Sequence, residues 1–309
     1  MRVQKSTLSA AALLILITCS IGFAQNAPAP GQEAVDQPAP SSRAKYLPLQ
    51  EGAKKHPMLS DSAAGAGFGT ESPESTTPYR TFSAGAGLSL FKWTISSHGN
   101  IIDLESPSGF HHLEDAEGYT VSMNTSIGVV RYYDAGFVEP STCSGNIRAW
   151  SPDVFETNVN ANGTTLTRST CDGAWQLAQT FTMNSINHEL TVTMTLMNTS
   201  GFNYTGVQLS RYFDGNIDND YSDDVFSRTF DSVEGRDSTL DILSLTAISF
   251  TTSHTTAIHT FNAWDPSLAS QSSLASPTAT GDFVGRVTYS LGTINNSAQK
   301  IVKVLYKRS

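Results

Sequence analysis

Asp214, Asn216, Asp218 and Asp220 stand at alternate positions of "DGNIDNDYSDD", directly after the strand-like run "TGVQLSRYF". A hard cation such as calcium takes about six to eight oxygen ligands, and alternate Asp and Asn side chains in a tight loop supply them. Asp214, Asn216 and Asp218 fit the first three ligand positions of a D-x-[DN]-x-[DN] loop. Asn219 falls where such loops prefer Gly, and Val225 falls where an EF-hand needs its bidentate Glu. An EF-hand is therefore excluded. A looser calcium loop is expected, with Asp220, Asp223 or Asp224 completing the shell. From Asp214 to Asp241 nine acidic residues face only Arg228 and Arg236. Crowded carboxylates repel one another unless a cation or solvent screens them. The competing reading is a solvated acidic turn, which Asp and Asn form readily.

A second group lies in "SPSGFHHLEDAEGY". His111, His112, Glu114 and Glu117 are further ligand or acid/base candidates on what reads as an exposed acidic connection. Their spacing is not that of H-E-x-x-H, and adjacent histidines on a strand point to opposite faces. Trp150, Trp175 and Trp264 adjoin turn-like segments and are candidates for stacking on sugar rings. Trp93, on the apolar face of "LFKWTIS", belongs to the core. No G-x-S-x-G, no P-loop and no G-x-G-x-x-G before a helix occurs, so the familiar nucleophile and nucleotide motifs point nowhere here.

"MRVQKSTLSAAALLILITCSIGFAQ" has Arg2 and Lys5 before a short apolar run, then small residues at Gly22 and Ala24. Residues 1–24 read as a secretory signal peptide, and the apolar run is too short for a comfortable membrane span. "LITC" gives Cys19 a lipobox-like setting, although Thr18 stands where Gly, Ala or Ser is usual; a lipid anchor there is the alternative address. The chain is expected in the periplasm, at the cell surface or in the medium, with no integral membrane domain. Removing Arg2 and Lys5 leaves 17 basic against 28 acidic residues, a net charge of −11. That surface excludes phosphate-backbone recognition and hence nucleic acid. Cys143 and Cys171 then remain, an even pair 28 positions apart in an exported chain. They are expected to form a disulfide worth on the order of 3 kcal/mol.

The elements that must hold these residues are strands. Residues 25–84 are rich in Pro, Ala, Ser and Gly, as in "NAPAPGQEAVDQPAP", and read as a disordered spacer. Beyond it apolar residues alternate with polar ones. In "ELTVTMTLMN" Leu190, Val192, Met194 and Leu196 share one face and three threonines the other. "GDFVGRVTYSLG" and "QKIVKVLYKRS" repeat the scheme, with Asn-, Gly- and Ser-rich turns between. The expected fold is all-β: one large antiparallel β-sandwich over residues 85–309. The expected function is an exported, non-enzymatic module, structural or adhesive and stabilised by calcium, whose partner is carbohydrate or a cell-surface component. The alternative is a carbohydrate-active domain: a lectin-like binder, or a glycoside hydrolase or epimerase on a large sandwich.

Overall fold

The computed structural model describes residues 77–107, 109, 111, 114–136, 139–215, 224–237, 241–261, 264–269 and 271–309. The chain enters through β1 (Pro78–Ala84), β2 (Phe91–Ser96) and β3 (Ile101–Glu105). It continues through β4 (Glu114–Thr125), β5 (Gly128–Asp134), β6 (Ile147–Arg148), β7 (Trp150–Asn160), β8 (Gly163–Thr170) and β9 (Trp175–Asn184). Then come β10 (Glu189–Asn198), β11 (Tyr204–Asp214), β12 (Val225–Arg228), β13 (Ser232–Arg236), β14 (Ile242–Ala247) and β15 (His254–Thr260). The last three are β16 (Thr278–Thr280), β17 (Phe283–Ile294) and β18 (Gln299–Arg308).

Two large sheets pack into a sandwich. One has nine strands in the order β16-β12-β13-β14-β18-β10-β9-β8-β7, the other six in the order β15-β17-β11-β4-β5-β6. Among the described residues of these sheets only the short β5–β6 pairing is parallel. A three-stranded sheet, β1-β2-β3, adjoins them. The alternation read from the sequence holds in β10 and β18, whereas β17 from Phe283 to Tyr289 and β11 from Leu209 onward are buried on both faces. Leu190, Val192, Met194 and Leu196 on β10 are fully buried, while Thr191, Thr193 and Thr195 face outward. Full burial of such a side chain contributes about 1.5–3 kcal/mol. Opposite them the six-stranded sheet supplies Val121, Leu209, Val287 and Tyr289 to the same core.

The outer face of the six-stranded sheet is roofed by the segment after β15. Thr120 and Ser210 donate to the carbonyls of Pro266 and Ala269. Arg286 donates to those of Leu268 and Gln271. The hydroxyls and guanidinium thus take up carbonyls that an irregular segment cannot pair within a ladder.

Two expectations need correction. β1 begins at Pro78, so residues 77–84 belong to the fold and not to a spacer running to 84. Glu114–Thr125 is a strand, not an acidic loop, because every second residue from Glu117 to Met123 packs between the sheets. Residues 1–76, with the expected signal peptide and most of the expected spacer, lie outside the described residues.

Candidate functional site

The charged residues that meet in space come from strands whose polar side chains occupy inward positions. The tip of the β2–β3 hairpin carries His98, Gly99 and Asn100 between the sheets. Gly99 adopts φ +83°, and a Cβ there would stand 2.4 Å from Nε2 of Gln179, so a side chain would strain the turn and displace the Gln179 amide.

Around this tip lie two networks. In the first, Asp134 Oδ2 accepts from Arg168 Nη1 at 2.7 Å and lies 2.9 Å from His98 Nδ1. Oδ1 accepts from the Asn100 amide and from Gly136 N. Arg168 also donates to Tyr119 Oη at 2.9 Å, to Glu139 Oε1 at 2.8 Å and to the Ser151 carbonyl at 3.0 Å. In the second, Arg211 donates from Nε to Glu117 Oε1 at 2.5 Å and from Nη2 to Oε2 at 2.8 Å. Tyr306 Oη donates to Oε1 at 2.5 Å and Ile101 N to Oε2 at 2.6 Å. Arg211 also donates from Nη2 to Gly99 O at 3.0 Å and from Nη1 to Gln179 Oε1.

Electrostatics separate the carboxyl groups. Burial works to raise Asp134, but the His98 hydrogen bond and the Arg168 charge outweigh it and hold the group far below the usual carboxylate range. Glu139 is raised, first by burial and then by the charge of Asp134. Burial pushes Glu117 up to about 7 against the pull of Arg211.

A carboxyl near 7 is tuned for general acid–base work. Geometry denies Glu117 that role, since four donors occupy its two oxygens and the group is sealed from solvent. His98, Asp134 and Glu139 offer ligand atoms within 4.8 Å of one another, as a metal site would. Arg168 already supplies the positive charge there, bonded to both carboxylates. These networks hold the hairpin to the sandwich.

The residues expected to act together are dispersed. His111 bridges to β3, 2.6 Å from Asp103, which raises its pKa. Glu105 completes that half-exposed group, and Lys92 Nζ sits 2.5 Å from it, filling the place of a cation. Glu117 turns into the core, and the Glu114 backbone pairs with Asp214. His112 lies outside the described residues. Asp214 and Asp224 stand at the two roots of the acidic loop, each only 1% exposed; Asn216, Asp218, Asp220 and Asp223 lie outside the described residues.

The three tryptophans are corrected outright as a stacking platform. Trp150, Trp175 and Trp264 are 2%, 0% and 3% exposed, so none offers a ring face to a sugar. Trp150 packs edge-on against Tyr119, Trp175 against Tyr204, and Trp264 against Tyr212 under the roofing segment. A flanking turn did not imply exposure, because the indole is long enough to reach back under the sheet.

Cys143 and Cys171 are joined, tying the loop before β6 to the turn after β8. Arg148 Nη1 on β6 reaches Asp172 Oδ2 at 2.6 Å across the same join.

The inward charges were missed from the sequence, yet strand parity marks them. Arg211 falls in step with Leu209 and Phe213, Arg168 with Leu166, and the neutral but polar Gln179 with Leu177 and Phe181. A charge in step with core residues on several strands signals a buried network.

Together these features define a large antiparallel sandwich with a sealed polar centre. No family model matches the chain, and no curated protein matches it by sequence. Among solved structures, a bacterial glucoamylase complexed with acarbose superposes with a TM-score of 0.51 at 11% identity over 78% of this chain. The chain spans 33% of that glucoamylase, and the likeness is one of fold. A putative aldose 1-epimerase from Escherichia coli K12 gives a TM-score of 0.41 at 10% identity, covering 74% of this chain and 99% of the epimerase. The Slr1438 protein from Synechocystis sp. PCC 6803 gives 0.39 at 9%, covering 75% of this chain and 97% of that protein.

Proposed function

We propose that this chain is an exported glycan-binding sandwich module without catalysis of its own. The observation that carries the reading is the fold shared with a sandwich-bearing portion of a glucoamylase, a protein solved with the oligosaccharide acarbose. The sealing of both carboxylate–arginine networks supports the second half, since an acid/base pair must reach its substrate. A module of this kind would act as an adhesive or targeting unit once residues 1–24 have directed its export. Calcium bound between Asp214 and Asp224 would stabilise it.

The test is retention of the mature chain, residues 25–309, on insoluble polysaccharides, with parallel assays for released sugar and for anomer interconversion. Retention without turnover is the expected result. Failure to be retained on any polysaccharide would remove the binding function, and turnover by the pure chain would remove the non-catalytic one.

A further inference from the structure

A groove of about 540 Å³ opens where the β4–β5 turn, the start of β11 and β6 meet. That size falls in the range of about 300–1,000 Å³ usual for ligand sites. Its lining combines two aromatic rings, Phe202 and Tyr204, with the amides of Asn124 and Asn203 and the guanidinium of Arg148.

The parts are held in place before any ligand arrives. Phe202 is 70% exposed, a large apolar ring left in water on a turn. The turn is rigid: Asn198 Nδ2 donates to Phe202 O at 2.6 Å, and Phe202 N donates to Ser200 Oγ at 3.1 Å. Tyr204 rests on buried Trp175, with ring centres 5.3 Å apart. Asn203 Oδ1 accepts from Asn296 N at 2.9 Å, which leaves its NH2 end to donate outward. Exposed Asn124 lies over Gly206 (φ +61°), where a Cβ would stand 2.3 Å from Nδ2. The bare glycine thus makes room for the amide. Preorganisation of this kind lowers the ordering cost of binding.

Charge decides the ligand class. Among the described residues no carboxylate lines the groove, and the one lining guanidinium, that of Arg148, is matched by Asp172 at 2.6 Å. A flat ring face beside amide donors and acceptors suits a ligand with C–H faces and many hydroxyls but no net charge. We infer that the groove between Phe202, Asn203 and Asn124 is the binding site for an uncharged oligosaccharide, with Phe202 stacking on a sugar ring and the two amides bonding its hydroxyls. This site rests on the glycan-binding reading above and gives it a location and a ligand class.

The test titrates the mature chain with maltoheptaose, with cellohexaose and with an oligogalacturonate of similar length, followed by calorimetry and by tryptophan fluorescence. An uncharged glucan should bind. Phe202→Ala should weaken it about tenfold or more, as loss of an aromatic anchor does. Asn124→Ala and Asn203→Ala should each weaken it several-fold. Phe202→Ala and Asn124→Ala should keep the wild-type melting temperature, because these side chains are exposed, while Asn203→Ala, which loses the bond from Asn296 N, should lower it only slightly. If the wild type binds a glucan and the variants bind it equally well, the groove is the wrong site while the glycan-binding function stands. Tighter binding of the oligogalacturonate would overturn the uncharged class. If the wild type binds none of the three, the site for an uncharged oligosaccharide falls, and retention on the insoluble polysaccharides decides separately whether the glycan-binding function stands.

Discussion

Arg211 and Glu117 meet through two parallel contacts, Nε to Oε1 at 2.5 Å and Nη2 to Oε2 at 2.8 Å, in the space between the large sheets. The pair ties β11 to β4 within one sheet. Through Tyr306, Gln179 and Gly99 it reaches β18 and β9 of the other sheet and the hairpin tip. Removing one partner of a buried pair costs about 3–5 kcal/mol, because the other is left without its counter-charge. Arg211→Met should lose stability of that order in urea unfolding. Without the guanidinium, the Glu117 carboxyl would rise further, so the deficit should be larger at pH 8 than at pH 5. An equal deficit at both values would mean that Glu117 does not ionise in the fold.

Asp134 and Glu117 should set opposite limbs of the stability–pH curve. The folded pKa of Asp134 lies below its ordinary 3.8, so its contribution is present above that value and is lost as pH falls beneath it. Glu117 is raised from 4.5 to about 7, so its contribution is present below 4.5 and is lost as pH rises through that window. Melts across pH should therefore show a maximum on the mildly acidic side. Asp134→Asn should flatten the acid limb and leave the neutral limb in place. A variant with an unchanged acid limb would contradict the assignment.

The Cys143–Cys171 bond closes a loop of 28 residues. Its loss should cost on the order of 3 kcal/mol. Cys143→Ser, or dithiothreitol with the wild type, should lower the melting temperature. The effect should centre on β6, where the remaining ties include the Arg148–Asp172 ion pair. Hydrogen exchange of residues 142–149 in the reduced protein would show this. Unchanged protection there would assign the loop's order to the ion pair instead.

Calcium should raise the melting temperature of the mature chain relative to EDTA. A ligand that binds only the folded state at 100 times its dissociation constant adds about 2.7 kcal/mol. Asp214→Asn and Asp218→Ala should each abolish the shift, and magnesium should not replace calcium. No shift at millimolar calcium would leave "DGNIDND" a polar turn.

Much of the fold was legible before the structure. Period-two alternation in β10 and β18 followed from local rules, because a strand with one wet face must repeat every second residue; β17 is buried on both faces from Phe283 to Tyr289 because a distant segment roofs its outer side. The disulfide needed only two cysteines left over in a chain whose N-terminus reads as an export signal. The candidate site was far less legible. Asp134, Arg168, Glu117 and Arg211 lie on four different strands, and nothing local pairs them. His98 gave no sign beyond the turn "SSHGN", although that turn inserts between the sheets. The tryptophans misled for the same reason: position beside a turn says which way the chain bends, not what covers the ring.

The order of residues along the chain thus settled strand character, the alternate facing of β10 and β18, and the cysteine pair, the first two of which depend on neighbours within a few positions. Sheet order, the insertion of the β2–β3 tip, the two sealed networks and the Phe202 groove arose only on folding. Each brings together residues from distant strands. Such contacts depend on which sheet faces which, and that is fixed by burial summed over the whole core, not by any one segment.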